Sequence, residues 1–299
     1  MLNTGLNVDA TEFQLTLAHI NIAVKRYGHA NNPIILALHG WLDNADSFAP
    51  LAHEFQQLGL FNSHQLICID WPGHGLSEHR PGRYPLHWVD YIYDLQAVIQ
   101  AISTDNQPII LIGHSLGGII ASAYNACMPE HVAKLILIEA LAPLFESAEH
   151  AKSRLRNGLV QQARFNRQLA RPTPTYSSMD VAIQARHQLT GLALPWCELI
   201  TRRNMQLIDD KCAWRSDPRL KLDSLNRFTF EQVDALMTRS NTATLFIGAI
   251  DGYKQLTLTE QHANTWFTDI KMVTLAGDHH LHMGNARQVA ESIGAFILN

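Results

Sequence analysis

Polar and apolar positions alternate between 13 and 27, in Gln14-Leu15-Thr16-Leu17 and again in Asn21-Ile22-Ala23-Val24. A two-residue period of this kind predicts an antiparallel hairpin at a sheet edge. Beyond it the alternation gives way to short uninterrupted apolar runs at 34–38, 65–70, 109–112, 134–138, 242–247 and 271–275. Such runs predict strands buried on both faces. Helix-length stretches at 89–103, 116–126, 257–267 and 285–298 separate several of them. Strand and helix in alternation predict an α/β protein with a mostly parallel sheet flanked by helices.

From Pro143 to Ser240 the strand rhythm stops. This stretch is rich in Arg, Gln and Leu, is broken by Arg171-Pro172-Thr173-Pro174, and reads as helical with loops. The expected organisation is a core of 1–142 and 241–299 carrying an inserted helical cap at 143–240. The insertion holds 15 Lys and Arg against 10 Asp and Glu, which leaves 8 against 17 elsewhere. Opposite net charges favour docking of one part on the other, although isolated surface ion pairs contribute only about 0–1 kcal/mol each.

The whole chain has 299 residues, 46% hydrophobic and 17% charged, and a formal net charge of −4. That composition suits a large buried core and lacks the basic excess needed to hold nucleic acid. No apolar stretch reaches the roughly 18 residues of a membrane span, and the first residues lack the pattern of a secretory signal. A cytoplasmic location is therefore expected. Cys68, Cys127, Cys197 and Cys212 form no C-x-x-C pair, so buried free thiols are expected rather than disulfides or a zinc knuckle.

Gly113-His114-Ser115-Leu116-Gly117-Gly118 follows an apolar strand and opens a helix. In that context G-x-S-x-G marks a nucleophilic serine on a strained strand-to-helix turn, with glycines letting neighbouring chain pass closely. The backbone N–H of Leu116 is one candidate oxyanion donor. A second is the N–H of Trp41 in His39-Gly40-Trp41, after the run at 34–38, with His39 read as structural. A base is offered by Gly277-Asp278-His279-His280-Leu281-His282-Met283, with His279 first, His282 second and His280 third. The rival reading of these three imidazoles is a metal site, disfavoured because no cysteine or acid with familiar ligand spacing accompanies them; no metal is expected. Two carboxylates fit the chain order Ser, acid, His: Asp251 after the run at 242–247, and Glu139 after the run at 134–138. Asp251 is favoured because its strand usually supplies the acid in such sheets, with Glu139 as the alternative. Asp70, ahead of Trp71-Pro72-Gly73-His74-Gly75-Leu76-Ser77, reads as a loop anchor, and Leu192, Trp196 and Trp214 as possible pocket lining.

These loops in this order resemble the α/β-hydrolase superfamily over about 13–141 and 241–298. Within it, Leu38-His39-Gly40-Trp41-Leu42-Asp43-Asn44, Gly73-His74-Gly75-Leu76-Ser77 and the His279 loop resemble the serine hydrolase-like proteins. The resemblance implies a Ser115–Asp251–His279 triad and no cofactor. Haloalkane dehalogenases and epoxide hydrolases place an aspartate where Ser115 stands, and the triple-glycine loop of some lipases is absent. The expected activity is hydrolysis of a small-molecule carboxylic ester through an acyl-enzyme. The alternatives are C–C bond, thioester or lactone hydrolysis or perhydrolysis with the same residues, and a ligand-binding module with little turnover.

Overall fold

The computed structural model describes residues 6, 8–103, 107–168, 174–253 and 257–298. Its strands are β1 (Ala10–Thr16), β2 (Asn21–Tyr27), β3 (Ile34–Leu38), β4 (Gln65–Ile69), β5 (Ile109–His114), β6 (Val132–Ile138), β7 (Thr175–Tyr176), β8 (Met205–Ile208), β9 (Lys211–Trp214), β10 (Thr244–Asp251) and β11 (Ile270–Asp278). The main sheet runs β1-β2-β4-β3-β5-β6-β10-β11. β1 and β2 form the expected antiparallel edge hairpin, β2 also runs antiparallel to β4, and every later pairing is parallel.

The helices are α1 (Ala49–Gln57), α2 (Asp90–Ile102), α3 (Leu116–Cys127), α4 (Ala151–Gln168), α5 (Met179–Thr190), α6 (Leu194–Asn204), α7 (Phe230–Met237), α8 (Thr257–Glu260), α9 (Ala263–Trp266), α10 (Leu281–Gly284) and α11 (Ala286–Ile297). The two faces of the sheet build two apolar cores, and β3 shows how. Leu36 and Leu38 join Leu95 of α2, Ile120 of α3 and Val233 of α7 on one face, while Ile35 and Ala37 join Leu51 of α1 and Ile293 of α11 on the other. Side chains alternate across a strand, so a run apolar at every position serves both cores. Each fully buried Ile or Leu contributes roughly 1.5–3 kcal/mol relative to exposure.

The chain between β6 and β10 carries α4 to α7, as the loss of strand rhythm predicts, but also a small antiparallel sheet in the order β7-β9-β8. Strands of two to four residues are too short to show a period. Residues 171–173 of the Arg171–Pro174 break lie outside the described residues. α7 packs into the main core through Val233 and Met237. Leu192, Trp196 and Trp214, considered as pocket lining, sit in two small apolar clusters: Leu192 and Trp196 pack with Ile183, Ile200 and, from α10 of the core, Met283, and Trp214 packs with Ala182, Met205 and Cys212.

Three further differences are local. The helix expected over 257–267 is split into α8 and α9. β10 continues past Ile247 through a register shift between Ala249 and Asp251, because it stays paired with β11 as far as Asp278. Cys68, Cys197 and Cys212 are buried free thiols as expected, whereas Cys127, the last residue of α3, is exposed. Among the described residues no helix is long and apolar enough to cross a membrane.

Candidate active site

Ser115 stands between β5 and α3 with φ 50° and ψ −115°. For a residue with a side chain this is a strained conformation, of order 1–3 kcal/mol, held only by its surroundings. The surroundings are tight. A Cβ at Gly113 would lie 2.5 Å from Gly117 O and Gly118 Cα, and one at Gly117 would lie 2.0 Å from Leu38 O. The turn exists because both positions are glycine, and it is pinned by Ser115 N donating to Ile138 O at 3.0 Å. The exit of β3 lies against it: a Cβ on Gly40 would come within 3.0 Å of His114 Nδ1. Trp41 follows, 53% exposed, with its indole Nε1 donating to Leu220 O of the insertion at 2.9 Å.

The three candidate histidines have separate fates. His279 Nδ1 lies 3.1 Å from Glu139 Oε2; an acceptor-only carboxylate places the proton on Nδ1 and leaves Nε2 free to accept. His280 Nε2 lies 3.2 Å from Asp43 Oδ2. His282 is fully buried, and burial pushes it down to about 3, so it stays neutral. The imidazoles of 279 and 280 therefore turn to different carboxylates, and among the described residues no cluster has the arrangement to hold a metal ion.

Asp251, expected as the acid, is not the carboxylate that meets His279. It is exposed at the end of β10, in register with Asp278 of β11. Glu139 makes that contact, for a local reason. It follows β6 with φ 53°, which swings its side chain across the end of β10. There its buried carboxylate accepts Ala249 N–H at 2.7 Å through Oε1 and Tyr253 N–H at 3.1 Å through Oε2. Gly252 makes room, since a Cβ there would stand 2.5 Å from both carboxylate oxygens. The Tyr253 ring lies edge-on to His279 with centroids 4.2 Å apart.

Behind the serine a buried polar network joins the loops. His114 Nε2 donates to His279 O at 2.8 Å, and the two rings lie 4.8 Å apart. Burial, reinforced by the neighbouring histidines, lowers His114 well below its ordinary value. His39 bridges the exits of β3 and β4: its Nδ1 donates to Gly40 O at 2.7 Å and its Nε2 accepts Trp71 N–H at 2.9 Å. Burial pushes it down to about 4, which fits a structural imidazole better than a base. Asp70 accepts Ala45 N–H and Leu76 N–H and meets Arg203 Nε with both oxygens, at 3.0 and 2.9 Å, an anchor for the loop after β4.

Asp43, which sequence reasoning passed over, is the hub of this network. Its Oδ1 accepts Arg186 Nη2 from α5 at 2.8 Å, while Oδ2 faces His280 Nε2 and lies 3.7 Å from His114 Nδ1. Burial alone would raise its carboxyl, but His280 and Arg186 hold it below the usual carboxylate range. Burial would likewise lower His280, and the Asp43 charge raises it instead.

A serine on a strained turn, an imidazole carrying its proton on the side of a buried carboxylate and a helix N-terminus beside them are the parts of a nucleophilic hydrolase site. Comparison with known proteins points the same way. The chain is 26% identical over 302 residues to a serine hydrolase-like protein of Danio rerio, covering 98% of this chain and 90% of that one. It is 33% identical over 128 residues, 43% of this chain and 42% of the other, to a pimeloyl-[acyl-carrier protein] methyl ester esterase of Xylella fastidiosa. Among solved structures, a hypothetical protein of Pseudomonas aeruginosa superposes with a TM-score of 0.84 at 27% identity, covering 96% of this chain and 99% of that one. The model of the alpha/beta hydrolase family matches residues 35–292, and the chain belongs to that family.

Proposed function

We propose that this hydrolase cleaves carboxylic esters through an acyl-enzyme on Ser115, with His279 as base and Glu139 as the carboxylate that orients it. His279 Nε2 takes the Ser115 Oγ proton as Oγ attacks the ester carbonyl. The N–H groups of Leu116 and Trp41 hold the resulting oxyanion, the first aided by the positive end of α3. Collapse breaks the C–O bond, and His279 returns the proton to the departing alcohol. Water, deprotonated by the same imidazole, then attacks the acyl group and frees Ser115. Glu139 stays ionised throughout, fixes the tautomer and stabilises the imidazolium. This chemistry requires no cofactor and no metal.

The observation that carries the proposal is the 3.1 Å contact of His279 Nδ1 with the buried Glu139 carboxylate, whose oxygens two backbone N–H groups already hold in place. An ester as substrate is supported by likeness to the Xylella esterase. Residues 143–240 act as the cap over the site in this reading, supported by the Trp41 to Leu220 hydrogen bond. Three buried free thiols suit a reducing compartment, and the cytoplasm is the location we propose.

The test is turnover of p-nitrophenyl acetate and butyrate by wild type and Ser115→Ala, with fluorophosphonate labelling of both. Loss of labelling together with a fall in kcat of about 10³-fold or more is expected for loss of the nucleophile. Equal turnover or labelling in Ser115→Ala would remove Ser115 from the chemistry.

A further inference from the structure

Asp43 contacts two parts of the chain that are remote from it in sequence. Arg186, 143 residues away, belongs to α5 of the insertion, and His280, 237 residues away, belongs to the loop after β11. Each takes its own oxygen of the carboxylate. All three groups are largely enclosed, with side-chain exposures of 2% for Asp43, 9% for Arg186 and 18% for His280.

The same loop is held on its other flank. The His279 carbonyl accepts His114 Nε2, and His280 N donates to Asp278 Oδ1 at 2.8 Å. The peptide joining His279 to His280 is thus fixed by His114 on one side and, through the His280 ring, by Asp43 on the other. A second tie strengthens the insertion's grip on the same turn: Arg186 Nη1 donates to Leu42 O at 3.1 Å, as does Asn204 Nδ2 of α6 at 3.2 Å. Leu42 itself has φ 61°, a conformation that needs such outside support.

We infer that Asp43 is a positioning residue that couples the docking of the insertion to the setting of His279, so that the base is correctly placed only while Arg186 is seated. Withdrawal of α5 would leave Asp43 buried with its charge half compensated. A buried carboxylate that loses a partner seeks another or draws in water, and the partner within reach is the loop carrying His279 and His280. Misplacement of a reacting group by about 1 Å costs on the order of 100-fold in rate, so a small loop shift has a large effect on kcat and a small one on substrate affinity. The inference rests on the role of His279 proposed above.

The experiment compares wild type with Arg186→Met, His280→Ala, His280→Gln and the double variant Arg186→Met/His280→Ala. These leave Asp43 in place and so avoid stranding a buried arginine; Asp43→Asn/Arg186→Met, which removes both charges together, is the companion variant. Two readouts are taken: hydrogen exchange of peptides covering 277–284, without any substrate, and kcat and KM on p-nitrophenyl butyrate. The expected result is faster exchange over 277–284 in Arg186→Met, although residue 186 lies on another element. It goes with a fall in kcat of about tenfold to 100-fold and a KM within about twofold. His280→Ala behaves the same way, His280→Gln recovers most of the rate because its amide still donates to the carboxylate, and the double variant loses no more than the worse single one.

Unchanged exchange in a folded Arg186→Met overturns the coupling whatever the activity. Losses that multiply in the double variant overturn it too, since they mean two independent defects. Loosened exchange with an unchanged kcat overturns the link to the base. A wild type inert toward esters would count against the proposed function instead, and the exchange measurement would still decide this inference.

Discussion

The neighbouring parallel strands β6 and β10 each lead to a carboxylate at the end of the sheet, and the two carboxylates live in different surroundings. Glu139 is buried, sits on a backbone with φ 53°, and faces two N–H donors and an imidazole. Asp251 is still in the ladder, in register with Asp278, and is exposed. The difference lies in how each strand ends. β6 stops at Ile138 and the next residue turns sharply, whereas β10 runs on, supplying one donor from Ala249 within the strand and, from the loop after it, the second donor at Tyr253 and the room at Gly252. A carboxylate is thus held in place by the strand beside it as much as by its own.

The largest effect that would break this comparison is expected from Glu139→Gln. An amide presents a donor where Ala249 N–H or Tyr253 N–H already points, and it cannot stabilise an imidazolium. A fall in kcat of about 10³- to 10⁴-fold is expected, with a stability loss of about 1–3 kcal/mol from the donor left unpaired; ester kinetics and thermal melting measure the two. A normal rate in this variant would remove Glu139 from the mechanism. Gly252→Ala comes next. Its methyl would stand 2.5 Å from the Glu139 oxygens, so loop and acid must move apart, and a kcat lowered by about tenfold to 100-fold is expected. Full activity there would mean that the acid has more freedom than its close fit implies. The smallest effect belongs to Asp251→Asn, whose kcat should match wild type, with a stability change of about 0.5 kcal/mol or less, as for surface substitutions generally. A large loss in this variant alone would exchange the roles of the two strands.

Much of this could be read from the chain itself, and what could not has a common cause. β3 was legible to the residue because five apolar positions bounded by Pro33 and His39 serve both cores at once. The Ser115 turn was legible because strand, glycines and helix are consecutive. The choice between Glu139 and Asp251 was not, since both follow apolar runs in the right order; what separates them is a backbone dihedral and the donors of an adjacent strand. The partners of Asp43 lie 143 and 237 residues away, beyond any local pattern. Charge pairs do join residues of the 143–240 stretch to the rest of the chain: Arg186 with Asp43 and Arg203 with Asp70 are enclosed, while Arg203 also reaches the exposed Glu12.

The helix α4 buries one residue, Gly158, where a Cβ would meet Leu225 Cδ2 at 2.4 Å, and is tied to its neighbours by Arg154 to Glu146, Gln161 to Asp223 and Gln162 to Arg83 O, while Leu155, Leu159 and Val160 stand 47, 54 and 59% exposed. Exposed positions that make no special contact change stability by about 0.5 kcal/mol or less when substituted. Selection acting through folding therefore constrains Gly158 and the partnered Arg154, Gln161 and Gln162, and bears lightly on the exposed residues between them. Folding thus leaves the exposed face of α4 open to change while it holds β5, β6 and the turns that follow them fixed.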